Sequence, residues 1–142
     1  MAHDPGKAYV RAMRYALVLS AAVVMAATAG AQEAAGVWSN KFMIGAKDSV
    51  IATVLITVSD DAKTWIMKFT DRPPIPVRVV ATGGDSVVTD AGPYPSTKRP
   101  GQSVTLLHSV SHFKGDHMTG TFQAHYSGGL VVEGKTEAVR TK

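Results

Sequence analysis

From Ser103 to Arg140 the chain alternates apolar and polar side chains in three successive runs, SVTLLHSVSHF, HMTGTFQAHY and LVVEGKTEAVR. In the middle run Met118, Gly120, Phe122, Ala124 and Tyr126 share one face, and His117, Thr119, Thr121, Gln123 and His125 share the other. The runs are separated by Lys114-Gly115-Asp116 and Ser127-Gly128-Gly129. A period of two, closed by short glycine-containing turns, predicts consecutive antiparallel hairpins.

The same pattern extends upstream. Between Gly36 and Ile44, Trp38, Phe42 and Ile44 fall on one face with Asn40 between them, and Gly45-Ala46-Lys47-Asp48 predicts a turn. Ser49 to Ser59 is rich in β-branched residues, which fit a pleated sheet better than a helix, and reads as a strand buried on both faces near its start. A polar turn, Ser59 to Lys63, leads to a third strand in which Trp65, Met67 and Phe69 alternate with Ile66, Lys68 and Thr70. The prolines of Asp71 to Pro76 exclude helix there. Val77 to Thr82 and Ser86 to Thr89 form a further hairpin about Gly83-Gly84-Asp85. Asp90 to Gln102, with three prolines and two glycines, is expected to be the longest loop, with Lys98 and Arg99 at its exposed part. The recurrence of Asp-Ser-Val after two of the turns is a repetition of hairpin grammar. The fold class that follows is all-β: an up-and-down antiparallel β-meander of about eight strands, closed or nearly closed into a barrel. Closure removes the unpaired edges. At about eight strands the interior has room for packed side chains or one small ligand.

The N-terminal pattern is different. Lys7, Arg11 and Arg14 precede an uncharged, alanine-rich run from Tyr15 to Ala31, closing on Ala29-Gly30-Ala31. A basic start, an apolar middle and a small-residue exit describe a bacterial export signal. The alternative is a retained N-terminal hydrophobic helix that anchors the chain; its 17 residues fall slightly short of the roughly 20 needed to span a bilayer. The expected organisation is therefore an export signal or membrane anchor over residues 1–31 and a β-barrel domain over residues 32–142, periplasmic or secreted. That domain carries twelve Lys and Arg against ten Asp and Glu, which leaves +2, with the cations scattered. Such a surface argues against a nucleic-acid partner. The chain has no cysteine, so its stability rests on the core, without disulfides or thiolate chemistry.

Gly36-Val37-Trp38 at the start of the first strand matches the Gly-x-Trp motif of the lipocalin and calycin class of barrels, which the chain resembles in outline from Gly36 to Arg140. The resemblance implies that Trp38 closes the barrel floor beneath Arg140 on the last strand. The chain is also similar to small exported bacterial proteins with Gly-Val-Trp openings, a likeness that implies a fold and no activity.

Candidate chemistry is sparse. No serine lies in a Gly-x-Ser-x-Gly elbow and no glycine loop is built to cradle phosphate. Asp48, Asp60, Asp61, Asp85, Asp90 and Asp116 fall in or beside turns, where capping backbone groups is their expected role. His108 and His112 are expected on one face of a strand with Val104, Leu106 and Val110, and His117 and His125 on a face of the next. Residues four apart on a strand stand roughly 13 Å apart, which disfavours a shared zinc ion. No enzyme, cofactor or metal site is expected. Glu133, Lys135 and Glu137 are expected to alternate outward on the last strand. Trp38, Phe42, Trp65, Phe122 and Tyr126, with Phe69, are the candidate lining of a pocket for a small hydrophobic ligand. The alternative function is an accessory subunit docked on the periplasmic face of a membrane protein complex, such as a respiratory or photosynthetic reaction-centre assembly. Tyr94, Lys98 and Arg99 would then be the candidate partner contacts.

Overall fold

The computed structural model describes residues 33–141, so the expected export signal or anchoring helix lies outside the described residues. The described chain forms β1 (Gly36–Ile44), β2 (Ser49–Val58), β3 (Trp65–Lys68), β4 (Ile75–Gly83), β5 (Ser86–Ala91), β6 (Tyr94–Pro95), β7 (Ser103–Lys114), β8 (His117–Tyr126) and β9 (Val131–Arg140). No helix occurs among the described residues. The strands pair antiparallel in the order β5-β4-β3-β2-β1-β9-β8-β7-β6, and β5 also pairs with β7. That extra ladder, from Ser86↔His112 to Ala91↔Leu107, closes eight strands into a barrel. The two-residue β6 lies outside the ring, pairing with the N-terminal end of β7 through Tyr94↔Val104 and Pro95↔Ser103.

Alternation puts one face of each strand inside. Trp38, Asn40 and Phe42 of β1, Val54 and Val58 of β2, and Met118, Phe122 and Ala124 of β8 are all buried. The core divides into two layers. Towards one end, the floor, Trp38, Trp65, Phe113, Met118, Val58 and Ala138 pack together. Towards the other, the mouth, Phe42, Phe122, Met67, Leu107, Val104 and Ile75 form a second cluster.

Three bulges decide which residues face inward. In β1–β2 the register shifts between Phe42 and Met43, which leaves Ile51 as the extra residue on β2. In β7–β8 the shift falls between Val104 and Leu106, and in β4–β5 between Val79 and Ala81. An extra residue reverses the alternation beyond it. The expectation that Val104 shares a face with His108 and His112 is therefore corrected. Val104 is buried with Leu107, whereas Leu106, His108, Val110 and His112 face outward. The start of β2 is not buried on both faces either: Val50 is 53% exposed, because it lies next to the hairpin turn at the mouth rim. β4 begins earlier than expected, at Ile75, with Pro76 opposite Ile66. Asp90 belongs to β5 rather than to the loop that follows.

Candidate functional site

The floor is sealed by its own polar links. Trp38 is fully buried, and its Nε1 donates to the carbonyl of Ala34 at 2.8 Å, which folds the chain entering the barrel across the base. The Arg140 guanidinium lies 4.4 Å from the Trp38 ring centroid. Its Nε donates to Asp116 Oδ1 at 3.0 Å, its Nη2 to the Glu33 carbonyl at 2.6 Å, and its Nη1 to the Ala35 carbonyl. One side chain thus joins the β7–β8 turn to the start of β1. Gly36 makes room for it: its φ is +122°, and a Cβ there would come within 2.9 Å of Arg140 Nη1. Gly36, Trp38 and Arg140 therefore meet at the floor.

The mouth is built differently. An apolar cavity of about 60 Å³ opens to solvent there. Phe42, Phe69, Leu107, Phe122, Ala124 and Tyr126 supply much of its wall. Phe42 and Phe122 meet edge to face at 5.0 Å between ring centroids, a favoured aromatic geometry. The β1–β2 bulge sets both Ile51 and Ala52 against the cavity, although adjacent strand residues normally face opposite ways.

The loop from Gly92 to Gln102 lies across this opening as a strap. Ser96 N–H donates to the Gln102 carbonyl at 2.9 Å, and Arg99 N–H to Ser96 Oγ at 3.1 Å, which folds the strap on itself. Tyr94 turns into the mouth, its ring centroid 5.9 Å from that of Phe69. Burial, with a lesser contribution from Tyr126 and against the opposing effect of Arg72, raises the Tyr94 phenol to about 12. Arg72, from the β3–β4 connection, lies 5.0 Å from the Phe69 ring centroid and donates from Nη1 to the Pro95 carbonyl, pinning the strap. Arg99 stacks 5.5 Å from the Tyr126 ring centroid at the outer edge.

Between floor and mouth is a polar layer. Asn40, Thr89, Ser109, Ser111 and Thr136 are all buried and border a second cavity of about 40 Å³. A water molecule needs roughly 10–15 Å³ of such space and two to four polar partners, so this layer is suited to internal water. Phe42 and Leu107 border both cavities and form the partition between them.

Of the aromatic residues expected to line a ligand pocket, Phe42, Phe69, Phe122 and Tyr126 come together at the mouth. Trp38 does not line that pocket, which corrects the expectation: its ring is held in the floor by Ala34, Phe113 and Arg140. Trp65 also packs in the floor layer, 6.4 Å from Phe113, and borders the inner polar cavity rather than the mouth cavity. Of the candidate partner contacts, Lys98 and Arg99 are exposed, while Tyr94 points into the cavity. Arg72, Ile51 and Ala52 are not singled out by sequence reasoning. The bulge that presents Ile51 has no local signature, and an arginine between an aspartate and two prolines reads as an ordinary turn residue.

The histidines stay apart, and among the described residues no three His, Asp or Glu side chains gather to hold a metal. His108 Nδ1 lies 2.6 Å from Asp90 Oδ1 on the outer surface. Asp61 does cap its turn: it accepts from Ser59 Oγ at 2.6 Å and from Lys63 N–H at 3.0 Å, which lowers its pKa. Asp116 instead receives the Arg140 guanidinium. Glu133, Lys135 and Glu137 face outward along β9. The chain matches no family model, no curated protein and no solved structure.

Proposed function

We propose that this protein is a non-catalytic, exported binding module, a lipocalin-like barrel that holds a small hydrophobic ligand at its mouth. One observation carries the reading: an apolar, aromatic-walled cavity opens at one end of a barrel whose other end is sealed by the Trp38–Arg140 stack. Sites for small apolar molecules are typically concave, largely preformed and lined by aromatic side chains with few polar groups. The cavity is less than half the roughly 150 Å³ of an engineered apolar void known to hold benzene. A slim linear chain end fits it better than a ring.

The test is the thermal midpoint of the barrel with increasing octanol. A ligand that binds only the folded state raises the midpoint in step with its concentration. Octanol should raise it for the native sequence and leave Ala52→Phe unshifted, since the added ring would occupy the space between Ile51 and Phe69. An equal response in both proteins, or none in the native one, overturns the reading.

A second reading, an accessory subunit on a membrane complex, is favoured by two exposed apolar side chains on the outer surface. Leu55 and Val139, 42% and 44% exposed, flank Ser39 across β2, β1 and β9. Intact mass of the protein isolated from its native membranes tests the anchor this reading needs. A mature chain beginning at Gln32 would remove it.

A further inference from the structure

Towards the floor, β4 outgrows its neighbour. β3 pairs with it only from Ile75 to Val77, whereas β5 accompanies it to its end at Gly83. Among the described residues, no backbone hydrogen bond from a turn or loop reaches Val79 to Thr82, so this stretch has a strand on one side only. Every residue from Arg78 to Gly83 is exposed, Val80 at 53%. The stretch is nonetheless seated in the fold, because Val79 and Thr82 border a small cavity with Ala34, Trp65 and Phe113. A row of unpaired N–H and C=O groups is a template for another strand, and proteins blunt such edges with charge, proline, a bulge or a cover. Val79 to Thr82 carries only the bulge at Val80.

We propose that this edge pairs with the same edge of a second copy, antiparallel across a two-fold axis near Val80. The two β4–β5 hairpins then form one continuous four-stranded ribbon. Charge selects both the occupant and its direction. The open stretch is uncharged and lies between Arg78 at one end and Asp85, in the hairpin turn, at the other. Antiparallel self-pairing brings Arg78 of each copy to the Asp85 end of the other, whereas parallel pairing would set like charges together. The hairpin tip of the second copy, running on past Arg78, then meets the place where β3 begins. There a cleft of about 330 Å³ opens outward between Lys63, Thr64, Pro76 and Val77. The tip enters it with Asp85 towards Lys63. The Asp85 side chain is 73% exposed and accessible for that contact. A contact that uses the same patch on both copies closes at two. It leaves the mouth, at the opposite end of the barrel, open.

Sedimentation velocity of the exported protein over a series of concentrations tests this. The native sequence should pass from monomer to dimer as concentration rises, with the micromolar affinity of a small interface. Val80→Lys sets like charges across the two-fold axis and should weaken the dimer about tenfold or more. Val50→Lys, at an equally exposed valine on the mouth rim, should leave it unchanged. Asp85→Lys should also weaken the dimer. Adding Lys63→Glu to Asp85→Lys should return the affinity towards that of the native protein, because the pair is restored with its signs reversed. A folding defect would not recover in this way. A protein that stays monomeric at its highest soluble concentration overturns the proposal, and so does a dimer that Val80→Lys leaves intact. A loss in Asp85→Lys that the double variant fails to recover overturns it as well.

Discussion

Tyr94 shows how a single side chain couples the strap to the barrel. Its phenol, ordinarily near 10.0, is held at about 12 chiefly because burial disfavours the phenolate. Between those two values the unfolded chain has lost a proton that the folded chain keeps, so stability falls as pH rises. The contribution is fully present below pH 10.0 and is lost towards about 12. Tyr94→Phe should flatten this alkaline decline without changing stability at neutral pH by more than about 1 kcal/mol, the scale of one hydrogen bond at most. Urea denaturation of both proteins across that pH window checks it. Arg140 matters in the same way at the floor. Its stack on Trp38 is worth about 0.5–2 kcal/mol and its bonds to Glu33, Ala35 and Asp116 add to that. Residue roles of this kind were legible where a short motif carried them, as with Gly36 and Trp38. Arg72 was not legible, because its function depends on Phe69, Tyr94 and Pro95 arriving from elsewhere in the chain.

Among the elements, β1 and β2 define the mouth cavity through one irregularity. Without the bulge at Phe42 and Met43, Ile51 and Ala52 could not both face the cavity. Phe42 sits just before that bulge and separates the apolar mouth from the polar interior. Phe42→Ala should therefore do two things. It should lower stability by about 3–5 kcal/mol, the usual cost of removing a buried phenylalanine. It should also join the two cavities, so that, on the hydrophobic-ligand reading, linear alcohols longer than octanol gain affinity relative to octanol itself. Denaturation curves and a titration series of increasing chain length measure both. On β9, Gly134 is required because a Cβ there would collide with the Met43 carbonyl and the Phe122 ring. Strand identities and hairpin turns followed from the period of two, but the bulges did not. The sequence pattern reads the same on either side of a bulge until the partner strand's register is known.

For the whole molecule, the barrel's cohesion is uneven. β7 and β8 pair from Val104↔Tyr126 to Lys114↔His117, whereas β3 and β4 meet only through Trp65↔Val77, Ile66↔Pro76 and Met67↔Ile75. Pro76 further lacks a donor for that ladder. Local opening is favoured where hydrogen-bonded pairing is least. Within the eight-stranded ring, hydrogen exchange of the paired amides should accordingly be fastest at β3 and the start of β4, and slowest at the centres of β7 and β8. Slow exchange throughout β3 would contradict this account.

What the sequence determined by itself was local: alternating side chains, glycine turns and prolines that exclude helix specify strands and their order, because each acts over a few residues of backbone. The tertiary structure alone decided the registers of the ladders that close the ring, the displacement of β6 to the rim, and the meeting of Arg72, Phe69 and Tyr94 at the mouth. Those depend on which distant strands come into register, and a two-residue period is identical for many registers. Packing inside the closed ring chooses among them.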